Sequence, residues 1–282
     1  MAGVFSFLGG LFQGRPQAIA PPTERVQAIL DQIHAEAQPC LHLVPGGEGR
    51  TRLGGEADVS GDWPRFRDRP MACLARIDLE EVRAAGGPDW LPAEGWLQVF
   101  LDMGDRPQDF KPEQPGACVV RLETGPARPV APPDDLRPRS RIAAFPLMPI
   151  PRTSYADERI AFDWKSLTKA ENLTLEAAVL EMLSPEPAHQ IGGYPGILQG
   201  DDMEIQCAAA AAGTGDVRTF DPDEITAETI SAAHHWRLFL QVDSDPAAGL
   251  EWMQLGRLFF WVHDAAARQG DFSRVFVFLH AF

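Results

Sequence analysis

Apolar residues recur at helical spacing near the start of the chain. Within residues 22–37 they fall at positions i, i+3, i+4 and i+7, which predicts a helix with one buried stripe. These residues are Val26, Ile29, Leu30 and Ile33. Thr23 precedes them and is typical of a residue that caps a helix N-terminus. A second apolar segment, residues 173–183, also predicts a helix.

Short apolar runs of strand length occupy much of the rest of the chain. They cover residues 72–79, 96–101, 118–122, 236–242, 257–262 and 274–279. Runs of four to eight apolar residues bounded by turn residues are typical of buried strands. The predicted fold class is therefore β-rich α+β, with mainly antiparallel sheet and flanking helices.

Prolines divide the chain. Residues 107–151 hold 11 of the 25 prolines, and because proline lacks a backbone donor this stretch predicts an irregular connection without central strands. The predicted organisation is a tail at 1–20, a first lobe with an N-terminal helix at 21–106, the proline-rich connection, and a second lobe at 152–282. The apolar part of the tail, residues 4–12, is too short to span a membrane and lacks the features of a secretory signal.

The two predicted lobes share an ordered set of residues. Each has an apolar residue before two glycines, then an apolar strand that ends in aspartate, then a glycine before another apolar strand. The first copy is Leu53-Gly54-Gly55, Asp78 and Gly95; the second is Ile191-Gly192-Gly193, Asp243 and Gly256. This order predicts an internal duplication into two pseudo-equivalent lobes. The glycines suit tight turns, and the aspartates suit capping of the turns that follow.

The same segments resemble a known family. In the first half they are Arg52-Leu53-Gly54-Gly55, Trp63-Pro64, Leu74-Ala75-Arg76-Ile77-Asp78-Leu79, Leu91-Pro92 and Gly95. In the second half they are His189-Gln190-Ile191-Gly192-Gly193-Tyr194-Pro195, Gln199-Gly200-Asp201, Leu240-Gln241-Val242-Asp243-Ser244-Asp245 and Gly256-Arg257-Leu258-Phe259-Phe260-Trp261. Together they resemble the YwqG-like family, a bacterial group of unknown function.

The resemblance implies a β-rich, two-lobed fold and supplies no reaction. Some relatives sit near bacterial toxin systems, which implies a protein-binding role. The chain departs from the family pattern at Glu56, where the first glycine block is normally followed by a different loop, and at Arg76, where the family has glutamine. Any ligand of the first lobe should therefore differ from that of the relatives.

The net charge of −15 changes the range of partners. Residues 151–282 hold nine Lys and Arg against 20 Asp and Glu, a net of −11, so this half offers no basic stripe for a nucleic-acid backbone. This charge is compatible with a basic protein partner, because opposite charges accelerate encounter. Simple solubility is the explanation that the charge by itself favours. The cysteines Cys40, Cys73, Cys118 and Cys207 are scattered, which predicts free thiols, no disulfide and a cytoplasmic location.

No motif for a nucleophile, a phosphate loop or a metal site is present, so no catalytic residue, metal or cofactor is predicted. Polar and aromatic residues concentrate only at residues 189–201, which either seal the junction between the lobes or line the edge of a cleft. The candidate binding residues are His189, Tyr194, Gln199, Asp201, Gln241, Arg52 and Trp63. The leading hypothesis is a non-catalytic interaction module, resembling a toxin-immunity protein, for a basic partner. The alternative is a binder of a small ligand or peptide in a cleft between the lobes, and an enzyme has the least support. The sequence leaves the oligomeric state open.

Overall fold

The computed structural model describes residues 21–104, 116–126, 128–156, 164–182, 185–199, 202–213 and 225–281. The helices in these ranges are α1 Glu24–Ala35, α2 Leu79–Ala84, α3 Lys169–Met182, α4 Met203–Ala212, α5 Ala227–Ala233 and α6 Asp264–Arg268. The strands are β1 Gln38–Pro45, β2 Thr51–Leu53, β3 Ala57–Asp58, β4 Arg65–Phe66, β5 Arg69–Pro70, β6 Ala72–Asp78, β7 Trp96–Leu101, β8 Cys118–Glu123, β9 Pro129–Val130, β10 Phe145–Ser154, β11 Gln190–Ile191, β12 Trp236–Asp243, β13 Arg257–His263 and β14 Val275–His280. The predicted tail at 1–20 lies outside the described residues.

Ten strands form one antiparallel sheet in the order β14-β13-β12-β11-β1-β10-β2-β6-β7-β8. The edge strands β8 and β14 approach each other, so the sheet curls until it is nearly closed. Both predicted lobe segments, 21–106 and 152–282, contribute strands to this single sheet. The prediction of a β-rich, mainly antiparallel fold with helices is confirmed.

The strand order is symmetric about the central pair β1–β10, with four strands on each side. On the β1 side lie β11, β12, β13 and β14, and on the β10 side lie β2, β6, β7 and β8. The registers also match. Asp78 at the end of β6 pairs with Trp96 at the start of β7, and Asp243 at the end of β12 pairs with Arg257 at the start of β13.

The first predicted helix is confirmed as α1. Its N-cap is Thr23, whose Oγ1 accepts a hydrogen bond from the backbone N–H of Val26 (3.3 Å). The predicted apolar stripe is buried against residues of α3, including Leu175 and Val179. α1 and α3 thus lie side by side with a shared apolar seam.

The expectation that residues 107–151 contain no central strand is wrong, because β10 lies at the middle of the sheet. β10 pairs with the whole of β1 through residues 147–154, but with β2 only at residues 145–147. The carbonyl of Pro146 accepts a hydrogen bond from the backbone N–H of Gly46, just beyond the end of β1. The backbone polar groups of the even-numbered β10 residues therefore face β1. The backbone nitrogens of Pro149 and Pro151 therefore face away from β1. They lie beyond the last residue paired with β2, so their missing N–H groups cost no hydrogen bond of the sheet.

The glycine pairs and the strand-ending aspartates have architectural roles. Gly54 has φ +60°, and a Cβ there would lie 2.5 Å from the carbonyl oxygen of Ala143. Gly192 has φ +71°, and a Cβ there would lie 2.6 Å from Pro88 Cγ. Asp78 caps α2 by accepting from the backbone N–H groups of the next turn, as predicted.

Candidate functional site

The strand-ending aspartate of the second half is part of a buried ion pair. Asp243 Oδ2 lies 2.8 Å from Arg257 Nη2, and both side chains are about 6% exposed. The same oxygen accepts from the backbone N–H of Ala188 (2.8 Å), while Arg257 Nη1 donates to the carbonyl of Gly196 (2.5 Å). The pair therefore ties the start of β13 to the chain on both sides of β11. Residues 188, 189, 196, 241, 243 and 257 are called the Arg257 cluster below.

Gln241 and His189 complete this cluster from the strand and the loop. Gln241 Nε2 donates to the carbonyl of Ala188 (2.6 Å), and its Oε1 accepts from the N–H of Gly196 (2.8 Å). His189 Nδ1 accepts from the N–H of Asp243 (3.1 Å), which leaves Nε2 to donate to Asp245 Oδ2 (3.3 Å). Burial lowers the pKa of His189, so the ring is neutral near pH 7. Both side chains are fully buried and hydrogen-bonded within the protein.

His280 lies directly across from Arg257 in the β13–β14 ladder. Burial, helped by the positive charge of Arg257, lowers the pKa of His280 from 6.5 to about 4. Arg257 Nε and His280 Nδ1 have no hydrogen-bond partner among the described residues. A neutral histidine thus packs beside a buried guanidinium.

The other candidate residues of segment 189–201 lie outside the Arg257 cluster. Tyr194 is 8% exposed, and its backbone N–H donates to Ser154 Oγ (2.8 Å). Gln199 is exposed and donates to the carbonyl of Ala281 (2.6 Å). Asp201 lies outside the described residues. The structure thus brings His189, Tyr194 and Gln241 to one region of the sheet, and their role in binding stays a prediction.

The other two predicted residues lie in the first half. Arg52 is on β2, which β10 and β1 separate from β11, and it donates to the carbonyls of Gly49 and Glu56 (2.9 and 2.7 Å). Trp63 Nε1 donates to the carbonyl of Met71 (2.8 Å), with the ring in the core. The structure does not bring Arg52 and Trp63 together with the Arg257 cluster.

Arg76, which stands where the resembling family has glutamine, occupies the position that Gln241 has in the second half. Each lies two residues before the strand-ending aspartate. Arg76 Nε donates to Asp58 Oδ2 (2.5 Å) and its guanidinium lies over the ring of Trp96, 3.5 Å from the centroid. Both charged side chains are buried. The first half thus has its own buried ion pair in place of the amide of Gln241.

The four cysteines are free thiols, and burial raises the pKa of each. The pKa of Cys40 rises to about 11 and that of Cys73 to about 12, so these thiols stay protonated and unreactive near pH 7. Within the part of the chain that the structure describes, no group of three or more His, Cys, Asp or Glu side chains could hold a metal ion. None of the helices in that part is long and apolar enough to cross a membrane.

A groove of about 620 Å³ lies where α1, α3 and the end of β10 meet. The residues that line this helix groove are Leu30, His34, Arg152, Thr153, Tyr155, Ala178, Glu181 and Met182. Sequence analysis did not find it, because its residues come from three separate segments. One signal was available: Tyr155 and the candidate Tyr194 are the only two tyrosines of the chain.

The connection from β12 to β13 carries a second exposed feature. Met253 is 50% exposed and Leu255 is 68% exposed, the highest values among the large apolar side chains of the described residues. Residues 252–255, called the apolar turn below, are held by Trp252, which is fully buried and donates from Nε1 to the carbonyl of Asp243 (3.2 Å). Its backbone N–H also donates to Ser244 Oγ (2.9 Å).

These features define a sheet-rich mixed α/β protein with a buried polar cluster and two exposed surfaces. Residues 51–280, more than half of the chain, match a family described as a domain of unknown function (DUF1963). The chain belongs to this family. A comparison with curated proteins finds no match.

Proposed function

We propose that this protein is a non-catalytic interaction module that binds a basic protein partner. The observation that carries the proposal is the apolar turn, which holds Met253 and Leu255 out of the core. The Arg257 cluster favours a non-catalytic role, because its polar side chains are buried and bonded to one another. The turn is therefore the surface through which we propose that the partner binds.

The backbone of the apolar turn supports this role. Met253 has φ +51° and Leu255 has φ +50°, a left-handed conformation that side chains other than Gly, Asn and Asp rarely adopt. Such residues cost about 1–3 kcal/mol each and occur mainly at functional sites. Glycine would relieve the strain at both positions, and removing two exposed apolar side chains would cost little folding free energy. A binding role explains why apolar side chains stand there.

The charge around the turn supports a basic partner. Glu251 precedes the turn and is exposed. Glu186 is 79% exposed and lies 3.6 Å from Arg257, two residues after Leu255. Several arginines of the described surface are engaged within the protein, as in the pairs Arg65–Asp135 and Arg268–Asp89. An apolar contact beside exposed carboxylates matches a partner pocket edged by lysine or arginine.

Site-directed photo-crosslinking tests the proposal. A photoreactive amino acid replaces Gln254, between the two apolar side chains, in cells that make the protein. We expect a discrete adduct with a protein of basic isoelectric point. The same amino acid at Ile230, 48% exposed on α5, is the control position and should give no such adduct. No adduct from position 254, or the same adduct from both positions, would contradict the proposal.

Glycine variants then separate binding from folding. Met253→Gly combined with Leu255→Gly should abolish crosslinking from position 254 while the melting temperature is kept or raised, because the left-handed strain is relieved. Leu180→Ala, at another exposed apolar position on α3, should leave crosslinking intact. Full crosslinking by the double glycine variant would show that the apolar turn is not the binding surface.

We propose a second candidate function, the binding of a small ligand or peptide, which the helix groove favours. It differs from the sequence-based alternative in place, because the groove is lined by α1, α3 and β10 rather than by residues 189–201. The two functions use different surfaces and can be tested apart.

We also infer that the two halves of the sheet are pseudo-equivalent lobes of a YwqG-like, cytoplasmic bacterial protein. Leu41 of β1 pairs with β11 and Phe145 of β10 pairs with β2. Val44 and Met148, each three positions further along, pair with each other, so exchanging the two halves keeps the central register. This supports duplication. A crystal structure in which β2–β6–β7 fails to superpose on β11–β12–β13 would contradict it.

A further inference from the structure

We infer that the helix groove binds a small zwitterion, a free amino acid or short peptide with apolar side chains. The inference rests on the second candidate function and is independent of the apolar turn. It is built from three properties of the groove: two opposite charges with no partner among the described residues, an apolar and aromatic lining, and a fitting volume.

The first property is an arginine without a partner. Arg152 is half-buried on β10, and its side chain makes no hydrogen bond or ion pair with any residue that the structure describes. The other buried or half-buried arginines of the described residues all make such bonds, as Arg76 and Arg257 do. A partly desolvated guanidinium is stabilised by a carboxylate, which it can bind with two parallel hydrogen bonds. Arg152 is therefore available for the carboxylate of a ligand.

Glu181 supplies the opposite charge. It is exposed near the C-terminus of α3 and lines the same groove, and its side chain forms no hydrogen bond or ion pair with a described residue. Arg152 and Glu181 form no ion pair with each other, although both line the groove. A ligand with a carboxylate at one end and an ammonium at the other would pair with both. A ligand with one charge would leave the second group unpaired.

The lining between the charges suits an apolar side chain. The rings of His34 and Tyr155 meet edge-to-face with centroids 5.3 Å apart. Leu30, Ala178 and Met182 line the groove beside them. Aromatic and aliphatic walls with a few polar groups that fix orientation are typical of small-molecule sites.

The volume is in the range of such sites. The open groove has a volume of about 620 Å³, and ligand pockets run from about 300 to 1,000 Å³. This space is ample for one amino acid and sufficient for two or three residues. We therefore choose leucine, dileucine and trileucine as probes.

Calorimetric titration of the purified protein with these probes tests the inference. At least one should bind, and N-acetylation or C-terminal amidation of that probe should each weaken binding about tenfold, the loss typical of one charged contact. Arg152→Gln and Glu181→Gln should weaken the unmodified probe to a similar degree. Both variants should keep the wild-type melting temperature, because neither side chain makes a hydrogen bond or ion pair within the described part of the protein.

Matching each variant with each modified probe gives the sharpest result. Glu181→Gln should cause no further loss for the acetylated probe, and Arg152→Gln none for the amidated probe, because the contact has already been removed. The controls Arg83→Gln and Glu94→Gln, at exposed positions away from the groove, should bind like the wild type.

Three results would overturn the inference: no heat of binding from any probe at millimolar concentration, equal binding of free and blocked probes, or unchanged binding by both groove variants. None of these results bears on crosslinking from position 254, so the proposed partner binding at the apolar turn is tested separately.

Discussion

Replacing Arg257 with methionine is the sharpest test of how the second half of the sheet is held together. Methionine keeps much of the side-chain length and its apolar packing, and it removes the charge and every hydrogen bond of the guanidinium. The variant loses the 2.8 Å contact with Asp243 and the 2.5 Å contact with the carbonyl of Gly196. It leaves the carboxylate of Asp243 buried without its counter-charge.

The expected cost follows from burial. Removing one partner of a buried ion pair costs about 3–5 kcal/mol, because the remaining charge stays in a medium of low polarity. Asp243 keeps the N–H groups of Ala188 and Ser244 as donors, which places the loss toward the lower end. At about 2–4 °C per kcal/mol for a chain of this size, the melting temperature should fall on the order of 10 °C.

Arg50→Met is the matched control. Arg50 bonds to Asp78, the strand-ending aspartate of the first half, but its side chain is 43% exposed. Asp78 also accepts from the first N–H groups of α2, and the solvated arginine contributes about 1 kcal/mol or less. The two variants therefore compare a half-exposed arginine with a buried one, each bonded to a buried strand-ending aspartate.

Urea titrations of both variants give the free energies of unfolding, and an NMR titration gives a readout that a packing defect alone would not move. Because Arg257 contributes to the lowered pKa of His280, Arg257→Met should raise that pKa above about 4. A loss no larger than that of Arg50→Met, or an unchanged His280 pKa, would refute the argument.

Two further predictions concern the same half of the protein. Tyr194→Ala removes a buried ring and should lower the free energy of unfolding by about 3–5 kcal/mol in a urea titration; a loss like that of half-exposed Tyr155→Ala would instead indicate a binding role. His280 is neutral in the folded protein because burial lowers its pKa from 6.5 to about 4, so its contribution is complete above pH 6.5 and is lost as the pH falls toward 4. The resulting loss in the free energy of unfolding reaches about 3 kcal/mol. His280→Leu should flatten this part of the stability–pH curve. An unchanged curve would contradict the assignment.

Several of the longer elements could be predicted from the sequence because their patterns are self-contained. The strands β6, β7, β12 and β13 are mostly apolar runs of strand length. α1 has a cap and one apolar stripe within a single segment. The short strands β2 and β11 escaped prediction because two or three residues show no periodicity. β10 escaped prediction because its prolines argue against a central strand. The sequence does not show that β2 pairs only with residues 145–147, before Pro149 and Pro151.

The candidate site could be predicted only in part. The segment around His189 does lie at a polar cluster, but the sequence does not tell whether its side chains point into the protein or into a cleft. Arg257 was missed as the centre of that cluster, although a charged residue at the head of the run Arg257–His263, after a strand ending in Asp243, was a visible signal. The helix groove depends on how α1 and α3 pack, which no local pattern states.

The pairing of β1 with β10 has a consequence for how the chain is made in the cell. Roughly 100 residues separate the two strands, so the centre of the sheet waits for a contact between distant segments, the kind that slows folding. At about 5–20 residues per second, a ribosome needs roughly 5–20 s to supply β10 after β1 has emerged. During that interval β2, β6, β7 and β8 can pair with each other while β1 keeps an open apolar edge toward other nascent chains. Expression temperature and chaperone supply, acting on this interval, should therefore govern the yield of folded protein more than its final stability does.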